Sequence, residues 1–196
     1  MSPERAARWL PPSNAATRTE EAERLVRTLV DGPRGAAVVR ADGSLVGAFE
    51  ALLHSPETGE AAQALGLAVQ AAPSLDIALR ELLIVAIARQ AGVAIEVRVH
   101  SERALAAGAD PAHVAAAGAG PTPPGLAERA RAALDLALRP DPGTAATVDE
   151  LSAWRQALGP QGVVDVVALA SYYRLLCRLI TIFGLDDEGA SATVAR

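Results

Sequence analysis

Apolar residues recur at intervals of three and four along most of this chain, and the runs are separated by short clusters of Gly, Pro, Asp and Ser. That period belongs to amphipathic helices. The first run opens with Thr17-x-x-Glu20, which has capping-box form. It carries Ala22, Leu25, Val26, Leu29 and Val30 on one face and stops at Asp31-Gly32-Pro33. Between Gly35 and Gly43 the pattern changes: Ala36, Ala37, Val38 and Val39 precede an Asp42-Gly43 turn signal, which allows a short extended piece but is thin support for a hairpin. Helical spacing resumes from Leu45 to His54. Ser55-Pro56 then supplies an N-cap and a first-position proline for a helix to about Ala71.

Pro73-Ser74 opens the next stretch. Ser74 or Asp76 can cap a helix whose face is Leu75, Leu79, Leu82, Leu83 and Ala86, and Gly92 can end it in a left-handed conformation. A helix from Val93 to Ala107 follows and ends at Gly108. Asp110-Pro111 starts a short Ala-rich helix, interrupted by Gly118-Ala119-Gly120 and by Pro121 to Gly125. That glycine run has neither the Lys-Ser/Thr of a P-loop nor the spacing of a dinucleotide fingerprint, so it reads as a loop rather than a nucleotide site. Leu126 to Leu138 forms a helix and Pro140-Asp141-Pro142-Gly143 a turn. Thr147-x-x-Glu150 is a second capping box, opening a helix to Leu158. Gly159-Pro160 breaks it, and the last helix runs from about Gln161 to Phe183. The expectation is an all-α, single-domain bundle of about seven or eight helices over residues 17–185, with a flexible N-terminal arm at 1–16 and a flexible tail at 186–196.

Composition narrows the choice of core and partners. Apolar residues make up 51% of the chain but aromatics only 3%, so Ala, Leu, Val and Ile must fill the interior at close helix contacts. A formal charge of -5 gives no electrostatic reason to bind nucleic acid or an anionic membrane. Cys177 is the only cysteine, which excludes an intramolecular disulfide, a Cys-x-x-Cys redox pair and a cysteine-based zinc cluster. The N-terminal residues lack the apolar core of a signal peptide, and a cytoplasmic protein is expected. Val163 to Leu185 reaches the length of a membrane span, yet it contains Asp165, Arg174 and Arg178 and reads as a buried or subunit-interface helix.

Of the three histidines, His100 has matching chemistry nearby: Glu96 lies one helical turn before it, on the same face. A carboxylate beside an imidazole raises its pKa and orients its tautomer, giving a proton donor or acceptor usable near neutral pH. The same spacing also fits a solvent-facing ion pair worth about 0.2–0.5 kcal/mol. Context favours the former. Glu81 lies on the preceding helix, and a tight join at Gly92 can fold it back toward the pair, so three ionisable groups would share an otherwise apolar hairpin.

Arg80-Glu81-Leu82-Leu83-Ile84, Ala88-x-x-Ala91-Gly92, Glu96-Val97-Arg98-Val99-His100 and Ala104-x-x-Ala107-Gly108, in that order, resemble the central helical hairpin of the carboxymuconolactone decarboxylase and alkyl hydroperoxidase D-like superfamily. Phe49-x-x-Leu52-x-His54-Ser55-Pro56-Glu57 upstream and Asp165-Val166-Val167-Ala168-Leu169-x-x-Tyr172-Tyr173 downstream extend the resemblance to roughly Val46 to Phe183. In the peroxidase branch the second helix of the hairpin carries Cys-x-x-Cys-x-x-x-His, and a Glu on the first belongs to a proton relay. Glu81 and His100 occupy the relay positions, but Val93 and Glu96 stand where the thiols would be, so that redox chemistry is not expected. The decarboxylase branch has a Glu-Leu-Arg-Leu-His-like segment, closely similar to Glu96 to His100.

The resemblance implies a cofactor-independent lyase: an unsaturated, carboxylated lactone loses CO2, and a proton returns at a conjugated carbon. It implies His100 as proton donor, Glu96 as the group setting its protonation, Glu81 as a relay carboxylate, and Arg98 or another cation as the holder of a substrate carboxylate. Glu50 and His54 belong to neither branch's pattern. His54 reads either as a pocket residue or as a histidine interacting with the free carbonyls of a helix end, and Tyr172 as a pocket-lining hydroxyl. No His-x-x-x-His or Glu-x-x-His spacing points to a metal, and no cofactor is expected. Homo-oligomers, commonly trimers or hexamers, are implied as well. The same Glu/His machinery would serve an isomerase, dehydratase or cyclase, and a non-catalytic oligomeric ligand-binding protein is the alternative from another class.

Overall fold

The computed structural model describes residues 10–11, 13–140 and 145–185. Most of the expected N-terminal arm, the centre of the Pro140 to Gly143 turn and the expected tail from Asp186 lie outside the described residues. Among the described residues eight α-helices follow one another: α1 (Glu20–Asp31), α2 (Ala48–Leu52), α3 (Pro56–Gln70), α4 (Ile77–Gln90), α5 (Ala94–Ala106), α6 (Pro111–Ala116), α7 (Glu128–Ala137) and α8 (Val148–Phe183). No strand forms among the described residues. The extended piece expected after Gly35 is instead a 3-10 turn, Ala36–Val38, followed by a single antiparallel bridge between Val39 and Leu45 around Asp42-Gly43.

The capping chemistry explains most boundaries. Asp76 accepts from the Leu79 amide to start α4, and Asp110 from the Ala112 amide to start α6. Thr147 and Glu150 exchange both bonds of a capping box at α8. At α1 the expectation needs correcting: Thr19, not Thr17, caps the helix by accepting from Ala22, because the Thr17 hydroxyl is turned back onto Asn14. α8 is two helical limbs joined at Gly159 (φ 74°), where Pro160 ends the first.

Contacts divide the chain into two compact units, residues 1–65 with 176–196 and residues 66–175. In the first unit, α1 buries Leu25 and Leu29. Gly59 of α3 lies so near Leu25 that a Cβ there would be 2.3 Å from it. In the second unit, α4 is buried almost without break from Leu82 to Ala88 and packs along α5. Arginines close the helix ends of this unit. Arg129 donates to Ser74, Ala157 and Leu158 carbonyls, the last two freed at the Gly159 break, and Arg174 donates to the carbonyls of Ala137 and Arg139 behind α7.

Among the described residues α8 alone is long and apolar enough to cross a membrane. Within the second unit, however, it buries Leu169, Tyr172 and Tyr173, and its Asp165 accepts a hydrogen bond from the Ser74 hydroxyl at 2.5 Å. These are the partners of a core helix.

Two glycines of the second unit share a left-handed backbone but differ in space. A Cβ on Gly118 (φ 72°) would lie 2.4 Å from the Ala86 carbonyl oxygen, whereas one on Gly108 (φ 88°) would meet nothing within 4 Å. Gly118→Ala is therefore expected to destabilise by about 2–4 kcal/mol, a left-handed penalty plus overpacking against backbone. Gly108→Ala should cost only about 1–2 kcal/mol. Denaturant titration of the two variants measures the difference.

Candidate active site

The α4–α5 hairpin turns through Ala91, Gly92 (φ 70°) and Val93, a join short enough to bring the two helices side by side. Glu81 on α4 then faces His100 on α5: Glu81 Oε2 is 2.5 Å from His100 Nδ1. One turn earlier on α5, Glu96 Oε2 lies 3.2 Å from His100 Nε2. The ring is thus held between two carboxylates, one on each nitrogen, and as an imidazolium it can donate to both. Glu96 also sits in the first turn of α5, where the helix dipole favours an anion.

The neighbours complete a ring of polar contacts. Arg80 Nε and Nη2 each approach Glu81 Oε1 at 3.4 Å, and Arg80 Nη1 donates to the Gln70 carbonyl at the end of α3. The Gln70 side chain donates to the Tyr173 hydroxyl at 2.9 Å. The Tyr173 ring meets His100 edge to face, with centroids 5.1 Å apart.

Burial works against the imidazolium, but the hydrogen bonds and charges of Glu81 and Glu96 outweigh it and hold the His100 pKa above its ordinary 6.5. Burial likewise opposes the Glu81 carboxylate, yet the hydrogen bond and charge of His100, then the charges of Arg103 and Arg80, bring its pKa below the ordinary 4.5. Exposure grades along the chain: the side chains of Glu81 and His100 are 4% and 5% exposed, that of Glu96 18%. Among the described residues no three His, Cys, Asp or Glu side chains are grouped to hold a metal ion.

Glu81, Glu96 and His100 therefore converge as the sequence suggests, and within the second unit Arg98 and Tyr172 do not join them. Arg98 is two residues from both Glu96 and His100, which puts it across the helix, where it is exposed and pairs with Glu102 at 3.6 Å. Tyr172 is buried against Tyr173 and close to Gly66, so it packs the core while Tyr173 faces the histidine. Glu50 belongs to the first unit. Its carboxylate is consumed by the Ser13 amide (2.7 Å), the Ser13 hydroxyl (3.2 Å) and the Leu45 amide (2.6 Å), the role of a structural anchor. His54 is exposed in the turn after α2, also in the first unit. Sequence reasoning missed Arg80 and Gln70, and of the adjacent tyrosines it chose Tyr172 where Tyr173 faces the histidine. Arg80 carried a signal in its adjacency to Glu81; Gln70 comes to the site only in the fold.

Residues 56–139 match the family model for the Carboxymuconolactone decarboxylase family. Among solved structures, the chain is similar to an alkylhydroperoxidase AhpD core, an uncharacterized peroxidase-related protein from Ralstonia eutropha JMP134, with a TM-score of 0.67 and 19% identity over 90% of each chain. No curated protein matches the chain. The family model spans the α4–α5 hairpin whose residues carry the resemblance, and the all-α fold is shared with the solved structure.

The titration directions fix a stability profile. The raised His100 pKa contributes stability that is complete below about pH 6.5 and is lost as pH rises through the folded-state value. The lowered Glu81 pKa contributes stability present above about pH 4.5 and lost as pH falls. Melting temperature should therefore be highest between these values and fall on both sides. In Glu81→Gln the acid limb should flatten, and the His100 pKa, followed by ring-proton NMR, should drop.

Proposed function

We propose that this chain of the carboxymuconolactone decarboxylase and alkyl hydroperoxidase D-like superfamily is a cofactor-independent acid/base lyase acting on a small carboxylated or lactone-like molecule. The observation that carries this reading is the imidazole held between two carboxylates, of which only Glu96 reaches solvent to any extent. A proton chain results. Arg80 and Glu81 stabilise the imidazolium from the buried side, His100 holds the proton, and Glu96 is the member a substrate would meet. This shifts the terminal role from His100, whose two nitrogens are both engaged, to Glu96.

In the decarboxylation the substrate's carboxylate leaves as CO2, and the electron pair of the broken C–C bond delocalises into the unsaturated lactone carbonyl as a dienolate. The proton leaves His100 Nε2 and passes by way of the Glu96 carboxylate to the conjugated carbon, leaving a neutral imidazole; water returns the proton after product leaves. The Glu81 charge makes the imidazolium accessible in a buried site, and the same chain would serve an isomerase, dehydratase or cyclase. A two-thiol peroxidase mechanism has no counterpart, since Cys177 is the only cysteine and is buried. A cytoplasmic homo-oligomer is part of the proposal, supported by the exposed Val164, Val167 and Ile182 on α8. The mutual satisfaction of Glu81 and His100 also favours the second reading, a non-catalytic binding protein in which the triad holds the hairpin together.

Incubation with 4-carboxymuconolactone, following lactone absorbance and released CO2, tests the proposal. Wild-type protein is expected to turn over, and Glu96→Gln and His100→Gln to lose about 10²–10⁴-fold. A folded wild type that releases no CO2 would overturn the decarboxylase assignment.

A further inference from the structure

Helix α5 presents more than the Glu96–His100 pair on its inner face. At 100° per residue, position 103 lies within about one-sixth of a turn of the line through 96 and 100, whereas position 98 lies on the opposite side. The contacts agree with this phase. Arg98 pairs with Glu102 on the outer face, while Arg103 is close enough to Glu81 for its charge to act on that carboxylate. Arg103 is exposed, one turn beyond His100, and makes no hydrogen bond or ion pair with any described residue. Every other arginine from Arg80 to Arg98 has a partner: Arg80 with Gln70 and Glu81, Arg89 with the Val114 and Ala117 carbonyls, Arg98 with Glu102.

We propose that Arg103 is the cation that binds the substrate's carboxylate, and that substrates are small organic anions lying across the Glu96–His100–Arg103 face of α5. The proposal rests on the reading of this site as one for carboxylated molecules and moves the anion-holding role from Arg98 to Arg103. An exposed guanidinium loses little hydration when it meets a carboxylate and offers two parallel N–H donors to it. Its position one turn past the imidazole orients the anion at one end of the face, leaving the rest of the molecule to reach Glu96. A cation whose charge reaches Glu81 also offsets the field that would repel an anionic substrate from the two carboxylates.

Binding rather than turnover tests this, so that its failure is separable from that of the proposed reaction. The probe is cis,cis-muconate, an unsaturated dicarboxylate, with its dimethyl ester as neutral control, titrated at low salt into wild type, Arg103→Gln and Arg98→Gln. The readout is the His100 ring resonance, assigned by its loss in His100→Gln. Both arginines are exposed, and melting curves confirm folding of the variants. The expected result is saturable binding of muconate to wild type and Arg98→Gln, at least tenfold weaker binding to Arg103→Gln, and little binding of the diester to any. Equal affinity of wild type and Arg103→Gln, equal weakening by both substitutions, or no saturable shift in wild type would each overturn the assignment. Muconate binding through Arg103 without any decarboxylase turnover would uphold it while counting against the proposed reaction.

Discussion

An imidazole buried between two carboxylates is the constraint to which the second unit is built. Burying one unpaired ion costs several kcal/mol, and a pair repays that only where hydrogen bonds satisfy the remaining donors and acceptors. Here the repayment is distributed. Glu81 takes Nδ1, Glu96 takes Nε2, and Arg80 takes the other Glu81 oxygen. None of these contacts survives a slide of α4 along α5, so the continuous apolar run from Leu82 to Ala88 and the left-handed Gly92 serve to hold a register that the polar cluster defines.

Arginine does a second job throughout this unit, at helix C-termini. The α3 end is capped by Arg80, the α6 end by Arg89, the α7 end by Arg174 and the first limb of α8 by Arg129. Each guanidinium places a positive charge and several donors where carbonyls lack partners and the helix dipole is negative. This suits a core with few aromatics: small apolar side chains bring helices close, and long arginines tie the ends that such packing leaves open. Arg80 joins the two systems, since one of its nitrogens closes α3 while two others steady the Glu81 carboxylate.

The helices were legible because their signals are local. The apolar period, Asp76, Asp110, Thr147-x-x-Glu150 and the glycines at 92 and 108 mark boundaries through bonds made within a few residues. Thr17 shows where such a signal fails, since two threonines competed for one cap and the preceding Asn14 decided between them. At the site, the Glu96–His100 pair and the folding-back of Glu81 could be read from spacing and a tight turn. Arg98 was misplaced although helix phase alone separates it from His100. Tyr172 and Tyr173 could not be told apart, because which of two adjacent aromatics faces α5 depends on the rotation of α8. Glu50 looked like a site residue for the reason that any buried carboxylate does, and only the donors from Ser13 and Leu45 identify it as an anchor.

The identity of the residue at position 96 decides what kind of chemistry this hairpin can support. A thiol there, next to the same Glu–His pair, would pass its proton to the relay and become a nucleophile. With a carboxylate in that place, the proposed relay runs the other way, from the buried His100 outward through Glu96. The deep carboxylate raises the His100 pKa against the cost of burial, and without Glu81 that pKa would fall. Thiol activation and the proton delivery proposed for this chain thus part at two positions on one hairpin, where Val93 and Glu96 stand in place of thiols.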